Sequence, residues 1–354
     1  MSEKAYTQPD IILSPERRKQ TPVTVIYGGN SSERAGSMLS GQTAMNLLIQ
    51  AGYAHVQGYD LTSETLRALP PPSEIGVAFL TLHGGAGEDG TVQGYLNMLG
   101  IPHTGCDVAA SAICQDKAVF SSLVSSYGYN TPGQTVVPKN VDITQMNFNF
   151  PVVGKPRNGG CSYGVFLAQN MEELVSNYDF TRKFGDMVVE DFIPGREFSI
   201  GIFEDPKTGK PHVLPIVEVI LHKGIQDFET KYPGGEELYE EILPAVLDPD
   251  VQHTIEAACA DIFTRLGCRG YSRMDFRMAP DGTIYWLENN TSPGLIGEES
   301  DFPKMLVAGG VTLPDFADMM VEAALIHYRE AKEEMANLPG EVEMCAYLGI
   351  PVAD

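Results

Sequence analysis

The stretch that most constrains the fold is YSRMDFRMAPDGTIYWLENN, residues 271 to 290. Two runs of strand-forming residues flank Asp281-Gly282, a pair that is typical of a tight hairpin turn. A two-residue turn there places Asp275 directly opposite Glu288, and a four-residue turn preserves that parity. The sequence therefore predicts an antiparallel hairpin in which two acidic side chains lie side by side.

One face of this hairpin is predicted to be polar. Side chains alternate between the faces of a strand, so Arg273 and Asp275 share a face with Glu288 and Asn290. The opposite face carries the apolar residues Met274, Phe276 and Met278. Carboxylates turned inward beside such a strand repel each other without a cation, and hard oxygen ligands suit magnesium, which completes its shell with substrate phosphates. We predict a metal and nucleotide site; the alternative is a solvated hairpin face.

A glycine-rich loop is a candidate cradle for the phosphates. The loop PRNGGCSYG, residues 156 to 164, follows the strand FPVVGK, which ends in Lys155. Its backbone N–H groups, among them those of Gly160 and Ser162, can turn toward an anion. The loop lacks the GK[ST] ending of a Walker loop and opens no helix, so a flap over ATP fits it better. A plain hairpin turn is the alternative.

The N-terminal part of the chain has the pattern of a parallel α/β unit. The strand VTVIY, residues 23 to 27, is followed by GGNSS and a helix-like segment up to Ala51-Gly52. The strand VAFLTL, residues 77 to 82, runs into HGGAGEDG and a second helical segment. Residues from about 21 to about 105 are therefore predicted to form a small α/β domain with its binding loops beyond the strand ends. Further on, residues 251 to 266 have helical spacing, and residues 221 to 241 predict a long functional loop.

Composition excludes several classes of partner. A formal charge of -23 in 354 residues argues against binding to a nucleic acid backbone or an anionic membrane surface, because both would be repelled. No run approaches the length of a membrane span, and the N-terminus is too polar for a secretory signal. Six cysteines without metal-finger spacing predict reduced, mostly buried thiols. The expected location is the cytoplasm.

The motifs together resemble those of the ATP-grasp superfamily and, within it, the D-alanine:D-alanine ligase family. In order they read GGNSSERAGSMLSG (28 to 41), LHGGAGEDGTVQGYLNMLGIPHTG (82 to 105), Asp116-Lys117, VVGKPRNGGCSYG, VVEDFIPGREF (188 to 198), FETKY (228 to 232), YSRMDF and LENNTSPG. The resemblance covers about residues 22 to 330. It implies an α/β protein with α+β lobes: an N-terminal parallel α/β domain (21 to 120), a central ATP-grasp lobe (121 to 200) and a catalytic lobe (201 to 332). Residues 1 to 20 and 333 to 354 would be tails.

The resemblance also implies ATP with two magnesium ions, or manganese in their place. Lys117 and Lys155 would hold the phosphates, beside Gly160 and Ser162 of the glycine loop. Adenine would be read by Glu190 and the backbone near Ile193, and the ribose by Glu197. The metal ions would be bound by Asp275, Glu288 and Asn290.

In that family ATP phosphorylates the carboxylate of one amino acid, and the amine of a second attacks the acyl phosphate. Glu33 would bind the ammonium group of the first amino acid, with His83 nearby. Arg273 and the Gly294 N–H would stabilise the oxyanion of the tetrahedral intermediate.

Several of these roles have a simpler alternative. Glu33 could cap the helix after GGNSS, because acidic residues favour helix N-termini. His83 could be a histidine with satisfied hydrogen bonds beside a turn. Lys231 and Tyr232 lie on the long loop, which by resemblance closes over the site and excludes water; a loop tyrosine can also serve packing alone.

Three departures from the family pattern bear on the substrates. Cys161 stands where the family has a serine that bonds the equivalents of Glu33 and Tyr232, and sulfur would loosen that network unless Ser162 substitutes. Gly36 stands where the family has a valine near the first substrate, so we expect a first substrate larger than alanine. After SPG the chain reads LIGEESDFP, which is one residue longer and more acidic than the family pattern.

That acidic segment lies where the family binds the carboxylate of the second substrate. Glu298, Glu299 and Asp301 would instead favour a cationic acceptor or one without a carboxylate. We therefore expect an ATP-dependent ligase that joins two amino acids, or an amino acid and an amine. D-alanine:D-alanine ligation and a specialised acceptor both remain open, and the alternative is a non-catalytic ATP sensor. A homodimer is expected from the resemblance alone.

Overall fold

The computed structural model describes residues 13–160, 162–221, 225, 239–297 and 300–337. Three separate β-sheets organise these parts of the chain. Within the same ranges, no helix is both long enough and apolar enough to cross a membrane.

The first sheet is parallel, in the order β2-β1-β3. Its strands are β1 (Pro22–Gly28), β2 (His55–Leu61) and β3 (Val77–Leu80). The helices around it are α1 (Pro15–Gln20), α2 (Arg34–Gln50), α3 (Pro72–Ile75), α4 (Thr91–Met98) and α5 (Val108–Gln115). Val23, Val25 and Ile26 of β1 are fully buried. The predicted β-loop-α start and its parallel sheet are confirmed, and the glycine-rich segments after β1 and β3 follow the carboxyl ends of neighbouring strands.

The second sheet is antiparallel, in the order β4-β7-β5-β6. Its strands are β4 (Gln134–Val137), β5 (Val152–Pro156), β6 (Phe166–Ala168) and β7 (Met187–Asp191). Helix α6 (Lys117–Ser126) precedes it, and α7 (Met171–Thr181) contributes the buried Leu174 and Tyr178 to its core. The glycine loop joins β5 to β6, which pair with each other, so the loop is the connection of a hairpin.

The third sheet has six strands, in the order β11-β10-β8-β12-β13 with β9 beside β8. They are β8 (Arg196–Asp205), β9 (Lys210–Val213), β10 (Val217–Leu221), β11 (Tyr239–Ile242), β12 (Tyr271–Met278) and β13 (Ile284–Asn290). The remaining helices are α8 (Pro249–Arg265), α9 (Asp301–Ala308) and α10 (Leu313–Ala336). Helix α8 confirms the predicted helical spacing: Asp248 caps its N-terminus, and Ile255, Cys259 and Ile262 are buried.

The β12–β13 hairpin has the predicted pairing but not the predicted turn. Asp275 lies opposite Glu288. Ala279 N donates to Thr283 O at 2.8 Å, so the turn has three residues, with Gly282 at a φ of 86°. The expectation of two or four turn residues is therefore wrong. A register irregularity next to Asp275 takes up one extra residue on β13 and restores the polar face.

Two predicted boundaries differ from the observed elements. β8 crosses the predicted boundary between residues 200 and 201, and its partners are all in the third sheet, which therefore begins at Arg196. Residues 13 to 20 are not a free tail, because Leu13 is buried with its N–H on Glu322, and Arg18 pairs with Asp318 of α10. The division into domains otherwise stays a prediction.

Candidate functional site

A cleft of about 850 Å³, part of it open to solvent, lies between residues of the second and third sheets. Nine of the residues predicted from the sequence line it: Lys117, Lys155, Gly160, Ser162, Glu190, Ile193, Glu197, Asp275 and Glu288. They come from β5, β7, β8, β12 and β13, from the start of α6, from the glycine loop and from the connection between β7 and β8. The structure thus brings these nine residues together, although 171 positions separate Lys117 from Glu288 in the chain.

Lys155 and Glu190 form a buried ion pair on neighbouring strands. Lys155 Nζ lies 2.8 Å from Glu190 Oε2, and the two side chains are 8% and 5% exposed. β5 and β7 are paired, with Val153 opposite Glu190, and Lys155 lies two residues beyond Val153 on the same face, diagonal to Glu190. The stability of such a buried ion pair depends on both partners, because removal of one leaves the charge of the other buried and uncompensated.

Lys117 links the glycine loop to the hairpin. Its Nζ donates to Gly159 O at 2.6 Å and lies 3.4 Å from Glu288 Oε2. It is the first residue of α6, whose N-cap Asp116 accepts hydrogen bonds from Ala118 N and Val119 N. The same carboxylate accepts from Arg157 Nε at 2.9 Å, so the base of the glycine loop is fastened to this helix start.

Arg273 and Asp275 form a bidentate pair on the polar face of β12. Arg273 Nε and Nη2 donate to Asp275 Oδ1 and Oδ2 at 2.9 and 2.8 Å. Burial would lower the pKa of Arg273, but the charge and hydrogen bonds of Asp275 raise it above its ordinary value, so this guanidinium stays charged. Ser199 Oγ also donates to Asp275 Oδ1 at 2.6 Å.

These contacts leave room for a cation at one oxygen of Asp275. A carboxylate oxygen has two lone pairs, and Oδ1 already accepts two hydrogen bonds whereas Oδ2 accepts one from Arg273. Among the described residues, no three His, Cys, Asp or Glu side chains form a metal site unaided. That finding fits a site of two carboxylates and the Asn290 carboxamide, because magnesium takes its remaining ligands from phosphates and water.

Sequence reasoning missed Arg277, which occupies the same polar face. Its Nη1 donates to Glu197 Oε2 at 2.6 Å, its Nη2 donates to Gly195 O, and its guanidinium stacks on the Phe192 ring. The alternation that places Arg273 and Asp275 on one face continues to Arg277, so the signal was present in the sequence. Glu197, predicted to bond a ribose, is therefore held in place by a buried arginine.

Glu33 lies at the meeting point of two glycine-rich loops. It occupies the N-cap position of α2 but makes no side-chain cap hydrogen bond. A Cβ added at Gly160 would lie 3.2 Å from Glu33 Oε1, and one at Gly84 would lie 2.6 Å from it. The carboxylate therefore lies against the HGGAG and PRNGG segments, and it does not cap α2 through a side-chain hydrogen bond.

His83 is buried between α2 and the HGGAGEDG segment. Its Nε2 is 2.9 Å from Ser40 Oγ, and its Nδ1 is 3.7 Å from Glu88 Oε1. Leu295 N donates to the same Ser40 Oγ at 3.2 Å. Ser40 thereby joins His83 to the turn that carries Gly294, and neither Ser40 nor Glu88 was predicted. Ser40 satisfies Nε2, which agrees in part with the alternative, and His83 also lies beside Gly36, where an added Cβ would be 3.9 Å from its Cδ2.

The region after SPG also includes an acidic residue from another part of the chain. Lys304 Nζ of α9 lies 2.5 Å from Glu241 Oε2 on β11. Burial raises the pKa of Glu241, the hydrogen bond from Lys304 lowers it, and the charge of Asp301 raises it further. Ser300 Oγ would lie 3.2 Å from a Cβ added at Gly294, so the residue that precedes Asp301 lies beside the predicted oxyanion donor.

Five predicted residues lie outside the described part of the chain: Cys161, Lys231, Tyr232, Glu298 and Glu299. Of residues 222 to 238, Ile225 is described, and it lines the cleft.

Comparisons with known proteins agree with the cleft. A family model described as D-ala D-ala ligase C-terminus matches residues 132–322, and one described as D-ala D-ala ligase N-terminus matches residues 57–106. A D-alanine--D-alanine ligase of Pseudothermotoga lettingae is 34% identical over 304 residues, covering 86% of this chain and 99% of that relative. One from Geobacter sulfurreducens is 38% identical over 289 residues, covering 80% and 87%.

Solved structures similar to this chain are also ligases that act on D-alanine, by their names. A D-alanine--D-alanine ligase from Bacillus anthracis complexed with ATP has a TM-score of 0.74 at 29% identity, covering 88% of this chain and 99% of its own. The VanG D-Ala:D-Ser ligase from Enterococcus faecalis has a TM-score of 0.72 at 26% identity, covering 86% and 99%. The predicted fold class is confirmed by these neighbours.

Proposed function

The chain belongs to the D-alanine:D-alanine ligase family, and from that premise we propose which groups of the cleft carry out the reaction and which substrates they accept. It is an ATP-dependent, ADP-forming ligase with the ATP-grasp fold, and it makes a carbon–nitrogen bond. The predicted enzyme class is thus confirmed, and no comparison supports the alternative of a non-catalytic ATP sensor.

The observation that carries the proposal is the pairing of charges in the cleft and beside it. Lys155 pairs with Glu190, Lys117 with Glu288, and Arg273 with Asp275. We propose that the two lysines bind ATP phosphates, and that Asp275, Glu288 and Asn290 bind two magnesium ions. Those ions, when bound, neutralise charge on the transferring phosphoryl group.

The reaction proceeds in two displacements. A carboxylate oxygen of the donor attacks the γ-phosphorus, ADP leaves, and an acyl phosphate forms. The acceptor amine then attacks the acyl carbon, loses a proton, and expels phosphate. Glu33 holds the ammonium group of the donor between the glycine-rich loops, which keeps the donor carboxylate in line with the nucleotide.

Arg273 and Gly294 stabilise the negative oxygen of the second step. A guanidinium has five N–H donors, and Asp275 uses two of them, so three remain for substrate. Its raised pKa keeps Arg273 protonated at every working pH. Removal of such a donor lowers the rate on the order of 100- to 1000-fold.

Two observations support altered substrates. Among the described residues outside its own helix, the atom nearest to a Cβ added at Gly36 is His83 Cδ2 at 3.9 Å, and this space supports a donor side chain larger than methyl. Asp301 and Glu241 together carry one more negative charge than Lys304 offsets, which supports a cationic acceptor. A D-Ala:D-Ser ligase among the structural neighbours is a relative that takes an altered acceptor.

The test is ADP release from ATP and magnesium across donor and acceptor pairs, with mass spectrometry of each active mixture. The panel contains D- and L-amino acids as donors, and amino acids, polyamines and amino alcohols as acceptors. We expect condensed product in proportion to ADP, and most from a donor larger than alanine with a cationic amine. Turnover with D-alanine alone would refute the altered substrates but not the ligase.

A matched pair of variants tests the roles. Arg273→Met should keep the affinity for ATP and lose product formation. Arg182→Met, at an exposed arginine directly after α7, should change neither. Bound ATP with no product from any pair would overturn the ligase itself. The homodimer and the cytoplasmic location stay predictions, the first testable by sedimentation.

A further inference from the structure

Three cysteines from distant parts of the sequence meet behind the cleft. Cys114 of α5 and Cys268, which follows α8, have their Sγ atoms 3.9 Å apart. Cys268 also hydrogen-bonds to Cys106, whose own Sγ donates to Arg269 O at 3.2 Å. Cys106 and Cys114 are buried, and Cys268 is partly exposed. None of the three takes part in the ligation steps.

A buried carboxamide faces the same sulfurs. Asn289 Nδ2 lies 3.3 Å from Cys114 Sγ and 3.4 Å from Cys268 Sγ, and Asn289 Oδ1 is buried without a hydrogen-bond partner. Asn289 stands between Glu288 and Asn290, on the opposite face of β13 from these two proposed metal ligands. The Asn289 Nδ2 contacts therefore go to sulfur, which is a weak acceptor. Oxidation of the two thiols would change the contacts that hold this side chain.

We propose that Cys114 and Cys268 form a reversible disulfide with hydrogen peroxide, and that this modification lowers the affinity of the cleft for ATP with magnesium. A disulfide needs its sulfurs about 2.0 Å apart. They must therefore approach by roughly 1.9 Å, a distance that side-chain rotation and a small helix shift can supply.

The chemistry is a two-step oxidation. The thiolate of Cys268, which is the more exposed residue of the two, attacks one peroxide oxygen, breaks the O–O bond and becomes a sulfenic acid, while the other oxygen leaves as hydroxide and is protonated. Cys114 sulfur then displaces that hydroxyl, which leaves as water with the Cys114 proton. Two thiols and one peroxide give one disulfide and two waters. Hydrogen bonds with the neighbouring thiols raise the pKa of Cys268, so oxidation should speed up as pH rises.

The coupling to the cleft follows from chain connectivity. Cys114 is three residues before Lys117, and Asn289 is next to Glu288, and these two charged side chains face each other at 3.4 Å. Drawing the sulfurs together moves α5 and releases Asn289, so it disturbs both ends of that ion pair. This part of the inference rests on the proposed role of Lys117 and Glu288, whereas disulfide formation does not.

In the test, the 354-residue protein is treated with hydrogen peroxide and its free thiols are then blocked. The protein is digested without reductant, and the peptides are mapped by mass spectrometry. We expect a linked pair containing Cys114 and Cys268, lighter by two hydrogens than the separate peptides and released by dithiothreitol. Cys114→Ser and Cys268→Ser should each abolish it, and Cys106→Ser should retain it. Cys259, whose Sγ lies against Met274 Sδ, should stay a free thiol and serves as the internal control.

Three outcomes would overturn the proposal or its second part. Recovery of Cys114 and Cys268 as free thiols, or a link from Cys106 to Cys268, would refute the disulfide independently of any ligase assay. Calorimetry of ATP with magnesium then tests the coupling: we expect at least a tenfold weaker Kd after oxidation, restored by dithiothreitol and absent in Cys268→Ser. A linked protein with unchanged affinity would refute the coupling, and Cys268→Ala provides a second variant if the serine form fails to fold.

Discussion

Asp275→Asn is the most informative single change, because Asp275 is both the counter-ion of a buried arginine and a proposed metal ligand. The Arg273 and Asp275 side chains are 9% and 16% exposed. Removing one partner of a buried pair costs about 3 to 5 kcal/mol of unfolding free energy. Glu288 and Asp301 also raise the pKa of Arg273 and offset part of that loss. We therefore expect a loss of about 2 to 3 kcal/mol.

The single tryptophan makes this measurable at the site itself. Trp286 is the only tryptophan of the chain, is 1% exposed, and lies on β13 of the same hairpin. Urea unfolding followed by its fluorescence should show the loss for Asp275→Asn. Asp281→Asn is the matched control: Asp281 lies in the turn of the hairpin, is exposed, and accepts from Thr283 N, which asparagine can also do. Its stability should match that of the wild type.

The double variant Arg273→Met/Asp275→Asn separates the ion pair from other effects. Because the uncompensated charge is then gone, the double variant should be more stable than Asp275→Asn alone. Ligation should fall on the order of 100-fold or more in both, since each lacks a charge that acts on the transferring group. A stability of Asp275→Asn within about 0.5 kcal/mol of wild type would refute the reasoning.

Three further changes test other parts of the structure. Gly36→Val should narrow the donor pocket, so activity with D-alanine should persist while activity with larger donors falls; equal losses for all donors would contradict a side-chain pocket there. Lys155→Met should weaken ATP binding at least tenfold by calorimetry, because Glu190 is left as a buried charge facing the phosphates, while the exposed Lys139→Met should bind normally. Burial lowers the pKa of His103 to about 4. As the pH falls, the unfolded chain therefore takes up a proton on this histidine before the folded chain does. The free energy of unfolding should then decrease by about 2 kcal/mol between about pH 7 and about pH 5. Urea unfolding at both pH values should show a smaller drop for His103→Gln, and an unchanged drop for the exposed His55→Gln.

The sequence predicted the polar face of the hairpin for a reason that was only partly correct. Period-two alternation placed Arg273, Asp275 and Glu288 together, and it would have placed Arg277 with them. The turn length was wrong because Asp281-Gly282 suits more than one loop type, and a compensating irregularity on β13 is set by packing rather than by local sequence. Partners of buried groups, such as Ser40 for His83 and Ser199 for Asp275, depend on strands and helices far apart in the chain. Spacing rules carry no information about such contacts.

The charge pairs also resolve how so acidic a protein can bind an anionic nucleotide. Among the described residues, the cations that line the cleft do not form an open positive patch, because Lys117, Lys155 and Arg277 each lie against a carboxylate, as Arg273 does next to Asp275. Nucleotide phosphates alone would have to compete with those carboxylates for the lysines. A divalent cation that binds Asp275 and Glu288 relieves that competition at Lys117, so metal and nucleotide should bind cooperatively. We therefore expect ATP with a chelator to bind at least tenfold more weakly than ATP with magnesium, measured by calorimetry. Equal affinities would mean that the lysines are already available to phosphate and that the pairs are not competitors.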